Sequence, residues 1–370
     1  MTQPRPVAIV LPSLVPGDAT GNDALGMAEV AAAAGHETQI FAGRIAAGLP
    51  ADPIAAALDW IERRSALVVY HLASGWAAGR ALLERTRSPI IVRDHNITPS
   101  RFFLGVSEEF LAATQAGEAD RRHLAVNGRV RCFITCSPFS AGELQSLGAD
   151  PARLRIAAPL HPLDQLETAA PDPRRLRLWA ADPADALFVG RFAPNKGHLR
   201  LLRVAARHRE LFGEALRLRI VGRQDPRLHR WQALVRQECR RLDLDSSVDF
   251  TGEVDLPLLK AAYLTSRLFL CCSEHEGFCL PLIEASTLGL AAVALDHGAI
   301  GSTLGPGALV LPATADDDEI AVALHRTLRD ARLRDALLAA QRAHARQHFS
   351  RALVAEEILK ALAEAGETGG

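Results

Sequence analysis

Residues 187–198 read LFVGRFAPNKGH, and this stretch decides the fold. An apolar run typical of a buried strand leads into Gly190, and a helical pattern starts at His198. The same order, a short strand and then a longer helix rich in alanine and leucine, recurs along the 370 residues. Strands that alternate with helices form a mainly parallel sheet covered by helices, so we predict an α/β fold.

The predicted strands form two series, separated by a segment rich in proline and charge. They are Val7–Leu11, Thr38–Phe41, Leu67–Tyr70, Ile90–Val92 and Val130–Thr135 in the first series, and Leu187–Val189, Leu216–Val221, Val248–Phe250, Leu268–Cys272, Ala291–Leu295 and Leu309–Leu311 in the second. Because a single core stops growing at about 250–300 residues, we expect two doubly wound domains. The predicted boundaries are a first domain at 1–165, a linker at 166–184, a second domain at 185–345 and a helical tail at 346–370.

The composition of the chain excludes several classes of protein. Apolar residues make up 48% of the sequence and charged residues 23%, which suits packed cores and excludes a wholly disordered chain. The 42 basic and 43 acidic residues give a net charge of −1, which argues against nucleic acid as a partner. No segment approaches the roughly 20 consecutive apolar residues that span a bilayer, and the first residues lack the apolar run of a secretion signal. We therefore expect a cytoplasmic protein.

The six cysteines do not form the pattern of a disulfide framework. Cys132 and Cys136 share one face of a predicted strand at a separation of about 13 Å, which is too far for one metal ion. Cys271 and Cys272 end another apolar run, and Cys279 lies in the loop that follows. We interpret the cysteines as small buried apolar residues and predict no metal site.

The loop that follows the strand at 187–189 carries two cations. Gly190 lets the backbone approach a ligand closely, Arg191 offers a planar fork of donors, and Lys196 adds a compact charge near a helix start. These residues suit an anionic diphosphate. Lys196, Lys260 and Lys360 are the only lysines of the chain, which otherwise uses arginine. The alternative, a surface turn with two solvated cations, is equally compatible with the spacing alone.

A second loop with residues suited to ligand binding or catalysis lies in SEHEGFCLPLIEAS, residues 273–286. Pro281 suits the first turn of a helix, which places Glu284 inside the helix and Glu276 in the preceding loop. The backbone N–H groups of 277–280 are then donors at a helix start, and a carboxylate can accept two hydrogen bonds from the vicinal hydroxyls of a ribose. The alternative is a helix N-terminus with acids that favour the helix dipole.

The two segments VGRFAPNKG and EHEGFCLPLIEA together resemble the retaining glycosyltransferases of family 4, and the resemblance covers most of the second domain. It implies the GT-B fold, two Rossmann-like domains that face each other across a cleft. It also implies that Arg191 and Lys196 bind the diphosphate of a sugar donor, and that Glu276 and Glu284 form the family's Glu-x7-Glu pattern. Cys279 stands where many members have glycine, and we expect little disruption because the residue is small.

The resemblance implies further site residues. The implied catalytic residues are His95, Arg191, Lys196 and Glu276, and the implied donor-binding residues are Gly21, Gly190, Arg191, Lys196, Arg223, Gly277, Phe278, Cys279, Leu280 and Glu284. The implied acceptor-side residues are His71, Asn96 and Thr98, although His71 also suits a purely structural role. For either histidine alone, a hydrogen-bonded imidazole at a strand end is the simpler interpretation. The C-terminal segment resembles the helix that crosses back onto the first domain in this fold.

The function that the resemblance implies is transfer of a sugar from a nucleoside diphosphate sugar to a hydroxyl acceptor, with retention at the anomeric carbon. We expect a hexosyltransferase with a metal-independent same-face mechanism and no cofactor. Its expected acceptor is a carbohydrate or lipid-linked molecule in polysaccharide or glycoconjugate assembly, with peripheral contact at the inner face of the membrane. Two alternatives remain at this point: a sugar-nucleotide epimerase with the GT-B architecture, and a non-catalytic subunit that binds a nucleotide sugar.

Overall fold

The computed structural model describes residues 4–367 of the chain. Contacts within the chain separate two compact units. Unit 1 holds the described residues of Met1–Arg101, Phe110–Pro162 and Phe349–Gly370, and unit 2 holds Phe102–Glu109 and Leu163–His348. Each unit is built on a parallel sheet with helices, so the predicted α/β class with two Rossmann-like domains is confirmed. Within residues 4–367, no helix has the length and apolar character that crossing a bilayer requires.

The sheet of unit 1 contains every strand predicted for the first half of the chain. Its strands are β1 Val7–Leu14, β2 Thr38–Ile45, β3 Asp52–Pro53, β4 Leu67–Leu72, β5 Ile90–Asp94, β6 Val130–Thr135 and β7 Leu154–Ile156. They pair in parallel in the order β3-β2-β1-β4-β5-β6-β7. The sequence patterns missed β3 and β7 because these strands are two and three residues long and have no buried apolar run.

The sheet of unit 2 contains every strand predicted for the second half. Its strands are β8 Ala184–Val189, β9 Leu218–Val221, β10 Val248–Gly252, β11 Ser266–Cys271, β12 Ala292–Leu295 and β13 Leu309–Leu311. They also pair in parallel, in the order β10-β9-β8-β11-β12-β13. The central strands of both sheets are almost fully buried, because helices cover both faces of a parallel sheet.

The helices connect successive strands. In chain order they are α1 Ala19–Ala33, α2 Ala57–Arg64, α3 Ala77–Arg85, α4 Glu108–Ala125, α5 Pro138–Ser146, α6 Leu163–Thr168, α7 Pro173–Ala181, α8 His198–Phe212, α9 His229–Arg241, α10 Leu256–Leu264, α11 Leu280–Leu288, α12 Ile300–Leu304, α13 Asp317–Arg329, α14 Ala331–His348 and α15 Arg351–Glu367. In each sheet the strand order reverses direction beside the first strand of the series, between β1 and β4 and between β8 and β11. Ligands of doubly wound sheets bind at such reversal points.

The segment expected to be a linker, 166–184, is structured and belongs to unit 2. It contains α7 and the end of α6, and both helices pack on α10. Leu166 and Trp179 are buried in the core of unit 2. The prolines and charges of the segment suggested an exposed connection, but Pro173 occupies the first turn of α7, where proline is favoured.

The last helix, α15, packs on the sheet of unit 1 rather than on the unit that precedes it in the chain. It contacts α1 and strands β4 to β7, and it buries Val354, Ile358 and Leu362. An ion pair between Arg155 and Glu364 at 2.8 Å lies at the edge of this contact. Unit 1 therefore contains both ends of the described chain.

We predict that truncating Ile358 to alanine destabilises unit 1 by about 2–4 kcal/mol, because the side chain is fully buried between helix and sheet. Leu353→Ala on the same helix is the matched control; Leu353 is 41% exposed, so its truncation should cost less than about 1 kcal/mol. Hydrogen exchange resolved by peptide measures the two units separately. Equal losses for the two variants, or a loss confined to unit 2, would contradict the packing of α15.

Candidate functional site

The reversal point of unit 2 brings two loops together. β8 and β11 pair directly, so the loop after β8, residues 190–197, lies beside the loop after β11, residues 272–279. These are the two segments whose residues suggested ligand binding. Their proximity follows from the strand order, because the carboxyl ends of neighbouring parallel strands lie at the same edge of a sheet.

An ion pair joins the two loops. Lys196 Nζ lies 2.7 Å from Oε1 and 2.9 Å from Oε2 of Glu276, whose exposed fraction is only 6%. Burial lowers the pKa of Lys196, but the charge and hydrogen bonds of Glu276 together with the nearby Cys279 outweigh it, so the pKa is raised and the ammonium stays protonated. On the other side of Glu276, Ala299 N donates to its carbonyl oxygen at 2.9 Å. Gly298 has φ +67°, and a side chain there would overlap the Glu276 backbone.

Backbone contacts reinforce the same junction. Glu274 N donates to Asn195 O at 2.8 Å, and Asn195 Nδ2 donates to His275 O at 3.1 Å. Gly197 has φ +69°, and a Cβ at this position would overlap the carbonyl oxygen of Cys272. Sequence patterns missed Asn195, Gly197 and Gly298 as site residues. The available signal was Asn-Lys-Gly directly before a helix, since glycine is required where the backbone is left-handed and closely packed.

Glu284 lies in α11 with an exposed fraction of 5%. Its Oε2 accepts a hydrogen bond of 2.6 Å from the hydroxyl of Tyr263 on α10. Burial, together with the Glu284 charge, raises the pKa of Tyr263 well above its ordinary value, so the phenol remains a donor. Tyr263 therefore fixes the orientation of the carboxylate. The apolar sequence around Tyr263 did not predict that it orients Glu284, although a buried tyrosine usually has a partner for its hydroxyl.

Cys279 precedes α11 in a left-handed conformation, with φ 75° and ψ 67°. This differs from the expectation of little disruption: size is not the constraint, because any residue with a Cβ is strained by about 1–2 kcal/mol there. The thiol hydrogen-bonds to that of Cys271, which lowers the pKa of Cys271 and, together with burial, raises that of Cys279 well above its ordinary value. Beside it, the carbonyl of Phe278 accepts from Thr303 Oγ1 at 2.6 Å. Cys279 thus sits in a turn fixed at both ends.

The remaining unit 2 candidates lie on the same sheet edge. Gly190 N donates to Val221 O at 2.9 Å, so the glycine continues the pairing of β8 with β9. Arg191 is exposed, and its charge opposes protonation of Lys196, which places the two cations near each other. Arg223 follows β9 and is half-buried, and its carbonyl accepts from Phe192 N at 2.9 Å. Gly277 and Leu280 are half-buried in the turn that enters α11.

The reversal point of unit 1 holds a buried ion pair. Asp23 on α1 accepts from Arg93 Nε at 2.7 Å and Nη2 at 3.2 Å, and from the N–H of Leu160 at 2.7 Å. Burial raises the pKa of Asp23, but Arg93 together with His95 and His71 outweighs this effect, and the pKa is lowered. Arg93 also donates to the carbonyl of Ala157 at 2.8 Å. Sequence patterns did not single out Arg93, because it lies within an apolar strand.

Two histidines lie against this ion pair. His71 Nδ1 and His95 Nε2 are 2.8 Å apart, and His95 Nε2 is 3.6 Å from Asp23 Oδ2. Burial and the Arg93 charge lower the pKa of His95 to about 4, and burial lowers that of His71 well below its ordinary value. Both rings are therefore neutral near pH 7. His71 has no exposed surface, so it does not line an acceptor site; its ring positions His95, whose side chain is 10% exposed.

The other unit 1 candidates are Asn96, Thr98 and Gly21, and two of them make hydrogen bonds within the unit. Asn96 has φ 58°, and its Nδ2 donates to Glu143 Oε2 at 2.5 Å. Thr98 is half-buried after β5. The N–H of Gly21 donates to Asp18 Oδ2 at 3.1 Å, which caps α1. The Gly21 N–H thus already has an acceptor, unlike the open phosphate-binding turn that the resemblance implies.

Two groups of potential metal ligands occur among residues 4–367: Asp23, His71 and His95 in unit 1, and Cys271, Glu276 and Cys279 in unit 2. The first group does not fit a cation, because the Asp23 carboxylate is already neutralised by Arg93. The second group combines two sulfur ligands with one oxygen ligand. Its donor set suits a soft divalent cation.

We predict that lowering the pH from about 7 to about 5 destabilises unit 1, and that His95 accounts for about 2 kcal/mol of the loss. The folded-state pKa of about 4 lies below the unfolded value of about 6.5, so the unfolded chain binds the extra proton in this range. His95→Gln should reduce the loss, whereas the exposed control His123→Gln should not. Urea unfolding of unit 1 at the two pH values provides the measurement, and an equal pH dependence in all three proteins would contradict a buried neutral His95.

Comparison with known proteins relates part of the chain to a family of enzymes. Residues 174–344, which lie in unit 2, match the family model of Glycosyl transferases group 1. The chain is 30% identical over 261 residues to the D-inositol 3-phosphate glycosyltransferase of Rhodococcus erythropolis, an alignment that covers 69% of this chain and 57% of the relative. The chain therefore spans little more than half the length of that curated relative.

Solved structures share the fold of both units. Sucrose-phosphate synthase from Thermosynechococcus elongatus is similar with a TM-score of 0.77 at 19% identity, covering 97% of this chain and 98% of that chain. The HepE protein of Anabaena in complex with UDP-glucose is similar with a TM-score of 0.77 at 16% identity, covering 96% and 98%. At these identities the likeness concerns the fold. The chain therefore has the GT-B fold, and residues 174–344 within its unit 2 match the model of Glycosyl transferases group 1.

Proposed function

We propose that this chain is a retaining glycosyltransferase of family 4 that moves a hexosyl group from a nucleoside diphosphate sugar to a hydroxyl acceptor. The observation that carries the proposal is the junction of Lys196, Glu276 and Glu284 at the reversal point of the unit 2 sheet. It lies within the segment that matches the group 1 family model. A cation, a buried carboxylate and a helix start at one sheet edge suit a donor that contains a diphosphate, a sugar and a ribose.

The proposed role of Lys196 and Arg191 is to stabilise negative charge on the leaving diphosphate. Lys196 is protonated, and Glu276 holds its ammonium in place before any ligand arrives. Preorganised charge of this kind stabilises a transition state more than it stabilises the ground state. The two cations supply the charge that a metal ion supplies in other enzymes, so the proposed mechanism needs no metal and no cofactor beyond the donor.

The proposed role of Glu284 is to bind the ribose of the donor. Its carboxylate is held by Tyr263, which presents it in one orientation for the two hydroxyls of a ribose. The turn of 277–280 leads into α11, whose first N–H groups suit phosphate or sugar oxygens. We propose that Gly190 and Arg223 contribute at the neighbouring strand ends, since both lie on the same edge of the sheet.

We propose transfer on the same face of the sugar, with the departing phosphate oxygen taking the acceptor proton. A covalent route needs a carboxylate nucleophile. Glu276 is a poor one, because both of its oxygens hold the Lys196 ammonium. His95 is proposed to assist transfer as a neutral imidazole, since its pKa of about 4 leaves no proton to give near pH 7.

The acceptor is proposed to be a hydroxyl group of a carbohydrate or lipid-linked molecule in glycoconjugate assembly, at the cytoplasmic face of a membrane. Two relatives support the substrate classes. One similar structure is a complex with UDP-glucose, and one similar sequence is named a D-inositol 3-phosphate glycosyltransferase. We extend to this chain only the donor class, a nucleoside diphosphate sugar, and the acceptor class, a hydroxyl group.

The proposal is tested by incubating the protein with nucleoside diphosphate sugars and hydroxyl-bearing acceptors, and by following the anomeric proton by NMR. The expected result is an acceptor-dependent product with the anomeric configuration of the donor. Inversion would contradict the retaining mechanism. Isomerisation of the donor sugar without an acceptor would instead identify an epimerase, and donor binding without any product would identify a non-catalytic subunit.

Replacing Lys196 with alanine should lower kcat/KM by about 100-fold or more, because the leaving diphosphate is then no longer stabilised by this preorganised cation. Lys260→Ala is the matched control, since Lys260 lies on α10 and donates to a backbone carbonyl, that of Glu167. Its kcat/KM should stay within about twofold of the wild type. Steady-state kinetics measure both variants, and a loss of less than about threefold for Lys196→Ala would refute its role.

Tyr263→Phe should weaken nucleoside diphosphate binding by roughly fivefold, because about 1 kcal/mol of hydrogen bonding to Glu284 is lost. Pyrophosphate has no ribose, so its affinity should not change. Tyr70→Phe is the control, since Tyr70 in unit 1 is the other tyrosine of the chain. Calorimetric titration distinguishes the effects, and equal weakening for nucleoside diphosphate and pyrophosphate would indicate a general structural defect instead.

A further inference from the structure

Cys271, Glu276 and Cys279 form a compact cluster that the proposed transfer reaction does not require as a whole. The two thiol sulfurs and a Glu276 oxygen all lie within 4.8 Å of one another, and all three residues are buried. Cys271 is the last residue of β11, Glu276 lies in the loop, and Cys279 directly precedes α11. The end of the loop at Cys279 therefore lies close to its beginning at Cys271.

The cluster has the dimensions of a tetrahedral zinc site. With Zn–S bonds of about 2.3 Å and Zn–O bonds of about 2.0 Å, the ligand atoms around zinc lie roughly 3.5–4 Å apart. None of the observed separations is above 4.8 Å, so they exceed these values by at most about 1.3 Å. Two thiolates and one carboxylate occupy three positions, which leaves the fourth open to water.

The charges of the site also fit. Binding Zn²⁺ releases the two thiol protons, so the ion with two thiolates and one carboxylate carries a net charge of −1. The Lys196 ammonium, 2.7 Å from Glu276 Oε1, offsets this charge. The backbone at Cys279 also points to a role for its thiol, because a cysteine occupies a left-handed position where glycine is free of strain.

We propose that Cys271, Glu276 and Cys279 form an inhibitory site for Zn²⁺ or a similar thiophilic divalent cation. The ion would take Glu276 as a ligand and engage Lys196 electrostatically, and both residues would then be lost to the donor. The Lys196 side chain is 19% exposed, so solvent reaches the ion pair that a bound cation would disrupt. The consequence for catalysis rests on the proposed function, whereas the binding of the metal does not.

A cobalt titration tests the site without any activity. Co²⁺ bound by thiolates shows a sulfur-to-metal charge-transfer band in the near ultraviolet, and we expect one such ion at this site per chain. Cys271→Ala should lose the band, and adding Zn²⁺ to the wild type should displace it. Cys271→Ser is a second variant of more similar size. Thermal unfolding of both variants shows that they fold.

Cys272→Ala is the matched control. Cys272 is the adjacent buried residue, but alternation along the chain places its side chain on the other face, and its sulfur is not among the ligand atoms of the cluster. This variant should keep the cobalt band. Loss of the band in Cys272→Ala but not in Cys271→Ala, or no band in the wild type, would overturn the proposal.

The inhibitory effect is measured separately, with each protein compared with its own rate in the presence of a chelator. Zn²⁺ should lower wild-type transfer by at least about tenfold and weaken pyrophosphate binding, and the chelator should restore both. Cys271→Ala should not respond to Zn²⁺. A cobalt band in a protein with no transferase activity would leave the metal site intact and refute only the proposed function. A cobalt band with unchanged pyrophosphate affinity would refute inhibition at the donor site.

Discussion

The ion pair between Lys196 and Glu276 is the interaction on which the site of unit 2 depends. It joins the two loops that follow neighbouring central strands; Glu276 is buried, and the Lys196 side chain is 19% exposed. Removing one partner of a buried ion pair costs about 3–5 kcal/mol, because the other charge remains without compensation. The pair thereby stabilises the loop geometry and keeps a cation ready at the sheet edge. A dianionic diphosphate can bind to such a cation without a rearrangement of the loops beforehand.

Both units use the same topological position in different ways. At the reversal point of unit 1, the Asp23–Arg93 pair is fully buried and the two adjacent histidines are neutral. At the reversal point of unit 2, the charge on Lys196 remains partly open to solvent. The first arrangement fixes positions within the fold, and the second presents charge to a ligand. This difference supports the proposal that a diphosphate binds at unit 2.

The sequence predicted every strand of the two sheets except β3 and β7, and it predicted the two loops of unit 2, because buried parallel strands are continuous apolar runs and their ends carry the polar residues. It could not predict the partners that lie far apart in the chain. Tyr263 reaches Glu284 across two packed helices, and Gly298 comes from a third loop. The segment 166–184 was misjudged because proline at a helix start resembles proline in a linker. The order of the strands, which brings the two loops together, cannot be predicted from the local periodicity of apolar residues.

The most direct test of the central claim is thermal unfolding with UDP, GDP, ADP, dTDP and CMP in turn. A ligand at about 100 times its dissociation constant stabilises a fold by roughly 2.7 kcal/mol, which gives a clear shift in Tm. We predict that one nucleoside diphosphate gives a distinctly larger shift than the others and that Glu284→Ala abolishes this shift. The absence of a shift with every nucleotide, or an undiminished shift in Glu284→Ala, would contradict the assignment of a nucleotide-sugar site to unit 2.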